Sequence, residues 1–192
     1  MLYKSPLYFT TSLYDNDGVY KKVDPLHPAD YIRIGNDWYK TIVIGDRIWM
    51  AENLRYKTAN SVGRDNNSKY GQYYGLDDIS ELQSIIPSGW RIPDINMEDV
   101  ATLYSPAVEA LQSTEFLTQW PNATNSTGFS AVPGGTYRIS DGTFPSVNEG
   151  KFILLTNDLS RTFILQSSSR TIYGFGDNVQ YYRFNIRLCK EL

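Results

Sequence analysis

The chain has 192 residues, 41% hydrophobic and 20% charged, with a formal net charge of −3. That length suits one sizeable domain plus an extension. The charge argues against nucleic-acid binding, which needs a clustered basic face. No apolar window approaches the roughly 18 residues a membrane span requires.

Tyrosine is abundant, at 15 residues, beside four tryptophans. Tyr supplies contact area and a polar tip at low entropic cost, as recognition surfaces need. It is also a common strand residue. Both readings stand at this level.

Residues 1–30 are expected to be an N-terminal assembly arm, with the domain proper over 31–192. Asp15-Asn16-Asp17-Gly18 is a turn signal, and the prolines of Asp24-Pro25-Leu26-His27-Pro28 exclude helix and central strand. The runs 7–13 and 19–23 fit a short hairpin. Residues 1–6 lack a basic region leading into an apolar one, so no secretory leader is expected. The arm is expected to contact a neighbouring subunit in a homo-oligomer, and its removal to leave a folded monomer.

From residue 31 the pattern becomes regular. Tyr31-Ile32-Arg33-Ile34 alternates as a strand, and Gly35-Asn36-Asp37 turns it into the run 38–43. A hairpin follows, its arms joined at Gly45-Asp46-Arg47 and its second arm ending in Glu52-Asn53. This polar pair either ties down backbone or offers a catalytic carboxylate, which lacks an evident partner. Residues 57–69 read as a long loop, and 77–84 as a short helix. Asn96 is placed to cap a helix with Glu98 and Asp99 in its first turn. Met97, Val100, Leu103 and Tyr104 share its inner face. Ser105-Pro106 restarts a helix through Leu111. Hairpins are expected around Asp141-Gly142, with arms 136–140 and 143–147, and between 151–156 and 161–166. The run 180–188 alternates, with Tyr182, Phe184, Ile186 and Leu188 on a buried face. Tyr181, Arg183, Asn185 and Arg187 fall on the other.

No P-loop, dinucleotide fingerprint or calcium loop occurs. His27 is the lone histidine and Cys189 the lone cysteine, so neither a His-based triad nor a zinc site is indicated. No cofactor, metal or catalytic residue is expected, and the chain is read as a non-enzyme.

Four stretches, in order, carry a resemblance. They are the run 39–56 containing Trp49-Met50-Ala51-Glu52-Asn53-Leu54; Pro87-Ser88-Gly89-Trp90-Arg91-Ile92-Pro93; Gly128-Phe129-Ser130-Ala131-Val132-Pro133-Gly134-Gly135; and Arg187-Leu188-Cys189. Together they resemble the Fibrobacter succinogenes major paralogous domain, found in many Bacteroidetes surface proteins. The resemblance implies an α+β, C-type-lectin-like fold: twisted mixed and antiparallel sheets, one or two packed helices, long loops and paired chain ends. It implies no catalysis. It further implies that strand residues 41–44 and 183–188 share a sheet. The family usually has a cysteine just before Pro-Ser-Gly-Trp; here that position is Ile86. An apolar contact between Ile86 and Cys189 is expected in place of a disulfide, which suits folding under reducing conditions.

These readings point to a non-catalytic recognition or structural module. The first expectation is a virion surface component, a phage fibre, tail or capsid-surface protein; the second is a cell-surface or secreted adhesin. The ligand is a glycan or a host-surface protein. In lectin-like folds the loops before the final strand carry recognition. The contact set is therefore Tyr173, Asp177, Asn178 and Tyr181, with Trp120 and Tyr137 as neighbours. Aromatic faces cover a ligand's apolar patches while amide and carboxylate groups orient it. The competing reading makes Phe175 and Tyr182 core and the rest a solvated loop.

Overall fold

Glycines at Gly35 and Gly45, with φ of +59° and +61°, let the chain reverse tightly between strands of alternating burial. The result is the meander β1 (Tyr31–Ile34), β2 (Asp37–Ile44) and β3 (Arg47–Met50). A computed structural model describes residues 31–65, 67–94, 98–145 and 149–192. The arm expected over 1–30, the cap at Asn96 and the inward placement of Met97 lie outside these.

β4 (Val62–Gly63), within the stretch expected as loop, pairs with β5 (Gln72–Tyr73) beyond it in a two-residue ladder. Three short helices follow: α1 (Ile79–Ile85), α2 (Glu98–Thr102) and α3 (Val108–Leu111). The remaining strands are β6 (Tyr137–Arg138), β7 (Phe152–Leu155), β8 (Arg161–Leu165), β9 (Arg170–Gly174), β10 (Tyr182–Arg183) and β11 (Cys189–Glu191). The architecture is mixed α+β, its ladders antiparallel.

β11 lies against β3, giving the order β1-β2-β3-β11 with Cys189 opposite Trp49. The C-terminal end thus joins the sheet of the opening hairpin, as expected. The ladder, however, is carried by 189–191 rather than 183–188. β7, β8 and β9 form a separate sheet, realising the hairpin expected between 151–156 and 161–166. Around Asp141-Gly142 the arms, among the described residues, meet at the single bridge Arg138–Thr143, because β6 takes β10 as its partner instead.

Two apolar clusters explain the strand sequences. Phe152, Leu154, Phe163 and Leu165 enter one cluster, with Trp49, Trp120, Phe129 and Cys189. Ile153, Leu155 and Ile164 enter the other, with Ile32, Tyr39, Met50, Leu54 and Phe184. A strand between two cores must be apolar on both faces, which is why 152–155 reads as an unbroken hydrophobic run.

The same arrangement corrects the reading of 180–188. Residues Gly176–Tyr181 form 3-10 turns. Beyond them the chain threads between other segments: Phe184 exchanges backbone bonds with Tyr74, and Asn185 accepts from the Leu155 amide. Both faces are buried, so Arg183, Asn185 and Arg187 are interior residues, not solvent-facing ones. At the position expected to meet Cys189, Ile86 packs on the first cluster, while Cys189 lies within the second. It is Arg91 that meets Cys189, through reciprocal backbone bonds of 2.9 and 3.0 Å. Val100 on α2 and Leu103 in the turn after it are buried as expected, whereas Tyr104 is 39% exposed.

Candidate functional site

The polar pair at the end of the opening hairpin resolves into two roles. Glu52 pairs with Arg55 at the surface. Asn53 is buried: its Nδ2 donates to the Tyr70 carbonyl at 3.0 Å, and its Oδ1 accepts from Arg187 Nε at 2.8 Å. Arg187 is fully buried. Its remaining donors reach the Phe129 and Ser130 carbonyls, and the guanidinium lies 4.4 Å from the Phe129 ring centroid and 5.0 Å from that of Phe152. A planar fork of donors suits three convergent acceptors better than a point charge would. Burial pushes the pKa of Arg187 down to about 9, opposed by Glu52, so the side chain is still cationic at neutral pH.

Arg91 joins the same region. Its backbone bonds Cys189, and its side chain donates to Asp99 at 2.7 and 2.9 Å. Residues from all four sequence stretches therefore meet around 187–189. Their arrangement is architectural: it fixes the last segment of chain against three earlier ones. Gly71 shows how closely. Its φ is +69°, and a Cβ there would come within 2.7 Å of the Asn53 side chain and of the Leu54 carbonyl. Gly71→Ala is expected to destabilise by about 1–2 kcal/mol, read as a fall in thermal midpoint. An alanine variant as stable as wild type would contradict this packing.

The residues expected to touch a ligand divide into three groups. Tyr173, Asn178 and Tyr181 come together around a depression of about 480 Å³, with Arg138, Ser140, Phe175 and Tyr182. Tyr173 and Tyr181 are 52% and 54% exposed. Asp177 is exposed on the same turn but does not line the depression. Tyr137 is half-buried and packs on Phe144, with ring centroids 5.3 Å apart. Trp120 is corrected outright: it is fully buried in the second cluster, and its Nε1 donates to the Gly150 carbonyl at 2.8 Å.

The exposed rings stand on a rigid base. Tyr173 meets Phe175 edge-on at 5.0 Å, and Phe175 meets core Phe184 at 5.0 Å. The Phe175 amide donates to the Ser160 carbonyl at 2.7 Å. Next to Tyr182 in the chain, Arg183 donates to Asp77 at 2.8 and 2.9 Å and to Asp78 at 2.6 Å. Its guanidinium holds Asp77 below the usual carboxylate range. The expected loop is thus partly a strand, because β9 completes an edge of the β7–β8 sheet and only the following turn is irregular. Phe175 and Tyr182 pack inward as the competing reading had it, while Tyr173 and Tyr181 do not.

Sequence reasoning missed the ionic anchors Arg183, Arg187 and Asp99. The available signal for the two arginines was a polar residue, Arg183, Asn185 and Arg187, at every second position of an otherwise apolar run; Asp99 gave none. Among the described residues no group of three or more His, Cys, Asp or Glu is placed to hold a metal ion. No helix among them is long and apolar enough to cross a membrane.

This is an α+β domain whose ordered motifs lock its final segment and leave an aromatic patch outside. Residues 42–190 match the model of the Fibrobacter succinogenes major domain, and the chain belongs to that family. No curated protein and no solved structure matches it.

Proposed function

We propose that the domain is a non-catalytic recognition module of C-type-lectin-like fold, a surface component of a virion that binds a glycan or host-surface protein. The observation that carries this reading is the exposed pair Tyr173 and Tyr181 beside the Asn178 amide, on a base fixed by Phe175. Rings held in place lose little entropy on binding. The pairing of β11 with the opening hairpin and the long irregular stretches favour a lectin-like fold. A domain stabilised without a disulfide suits assembly inside a host cell.

The test is binding of wild type, Tyr173→Ala and Asn178→Ala to a glycan array and to host cells. Each substitution is expected to weaken binding about tenfold or more with an unchanged thermal midpoint. Full binding by both folded variants would refute this site. A wild type that binds nothing would leave the domain a purely structural role.

A further inference from the structure

We propose that the chain carries a second binding site, a polar groove beside the Ser68–Tyr70 turn that takes a carboxylated oligosaccharide. Two depressions, of about 420 and 300 Å³, adjoin there and share Arg55 and Ser68. The larger is lined by Arg55, Lys57 and Arg64 with Ser61, Asn67 and Gln72, and among the described residues no carboxylate or apolar side chain lines it. The smaller continues past Lys69 to Ser113, Asn125 and Ser130, with Glu52 and Glu115 at its wall. A local excess of cations on a chain of net charge −3 focuses the field on one place and draws anions to it.

The cations are held in different ways. Lys57 is exposed and has no acidic partner among the described residues. Arg55 stacks on Tyr39 at 4.3 Å, donates to the Trp38 carbonyl at 2.8 Å and pairs with Glu52. Arg64 stacks on Tyr70 at 4.1 Å, with its Nε on Asp65 at 3.1 Å. Its Nη1 is buried within the fold. Two of the three cationic groups are thus already ordered, so a carboxylate meets guanidinium planes with little entropy left to lose.

Hydroxyl and amide groups around these cations match the hydroxyls of a sugar ring. An acidic peptide would bring apolar side chains, for which the larger depression has no wall. Two adjoining depressions accommodate successive residues of one chain. A linear polymer of uronic acids has this chemistry: one carboxylate per ring, with hydroxyls between.

The experiment measures binding of the whole chain to polygalacturonate and alginate by calorimetry at low and moderate salt. Methyl-esterified polygalacturonate and polyglutamate serve as controls. Binding is expected to both polyuronates, to fall about tenfold in Lys57→Glu and in Arg64→Gln at an unchanged fold, and to weaken with salt. It should survive in Tyr173→Ala, which separates this groove from the aromatic patch. The proposal is overturned if neither polyuronate binds, if polyglutamate or the ester binds equally well, if folded Lys57→Glu binds like wild type, or if Tyr173→Ala abolishes binding.

Discussion

Replacing Arg187 with alanine should cost about 3–5 kcal/mol, a large part of the 5–15 kcal/mol that typically separates folded from unfolded domains. The substitution opens a cavity beside Phe129 and Phe152. It also leaves Asn53 Oδ1 and the carbonyls of Phe129 and Ser130 without these donors in the interior. Arg187→Lys keeps the charge but not the planar fork, so it should recover only part of the loss. Urea unfolding of both variants, together with Asn53→Ala and the double mutant, measures the coupling. A pair that joins positions 134 residues apart should be strongly non-additive. An alanine variant within about 1 kcal/mol of wild type would show that the guanidinium is dispensable.

Asp99→Asn should cost about 3 kcal/mol and should also change the response to acid. The carboxylate is fully buried and accepts from Arg47 at 2.7 Å, from Arg91 at 2.7 and 2.9 Å, and from the Asp94 amide at 3.0 Å. Asparagine leaves Arg47, whose side chain is only 8% exposed, without its best counter-charge. Burial by itself would raise the pKa of Asp99. The Arg91 donors, the Asp94 amide and the Arg47 donor outweigh it and hold the group at about 2, against an ordinary 3.8. The unfolded chain therefore takes up this proton first as pH falls. The stabilisation is complete above pH 4 and drains away between there and pH 2, by about 2 kcal/mol. In urea titrations from pH 7 to pH 2, the gap between wild type and Asp99→Asn should narrow by that amount. A gap that does not change with pH would remove Asp99 as the acid-sensitive group.

Much of the framework was legible because its causes are local. Gly45 between two alternating runs, and the Asn157–Ser160 connection between two apolar ones, each specify a hairpin within a dozen residues. The helix near 77–84 begins and ends close to where its pattern placed it. The interior polar residues were not legible. Period-two alternation at 182–188 separates two faces but does not say what lies on each. Here Phe184, Ile186 and Leu188 enter an apolar cluster, while Arg183 and Arg187 meet Asp77, Asp78 and Asn53 from segments more than a hundred residues away. The same limit applied to the candidate site. Tyr173 and Tyr181 were assigned outward, which their exposure supports, but Trp120 was grouped with them although the second cluster encloses it. A tryptophan in an irregular stretch gives no periodicity from which its depth can be read.

The position of residues 184–191 bears on how the polypeptide reaches this form during translation. These residues bond to Tyr74, Leu54, Met50, Arg91 and Leu155, and Cys189 and Phe184 each complete a different apolar cluster. A ribosome delivers them after every one of those partners. Until they clear the exit tunnel, the nascent chain can close local hairpins but not its core, because the central thread has not been made. Closure then comes late and all at once, as expected where long-range contacts dominate. Nascent chains stalled before residue 184 would present a protease with open strands, whereas those released beyond 191 would present a finished domain.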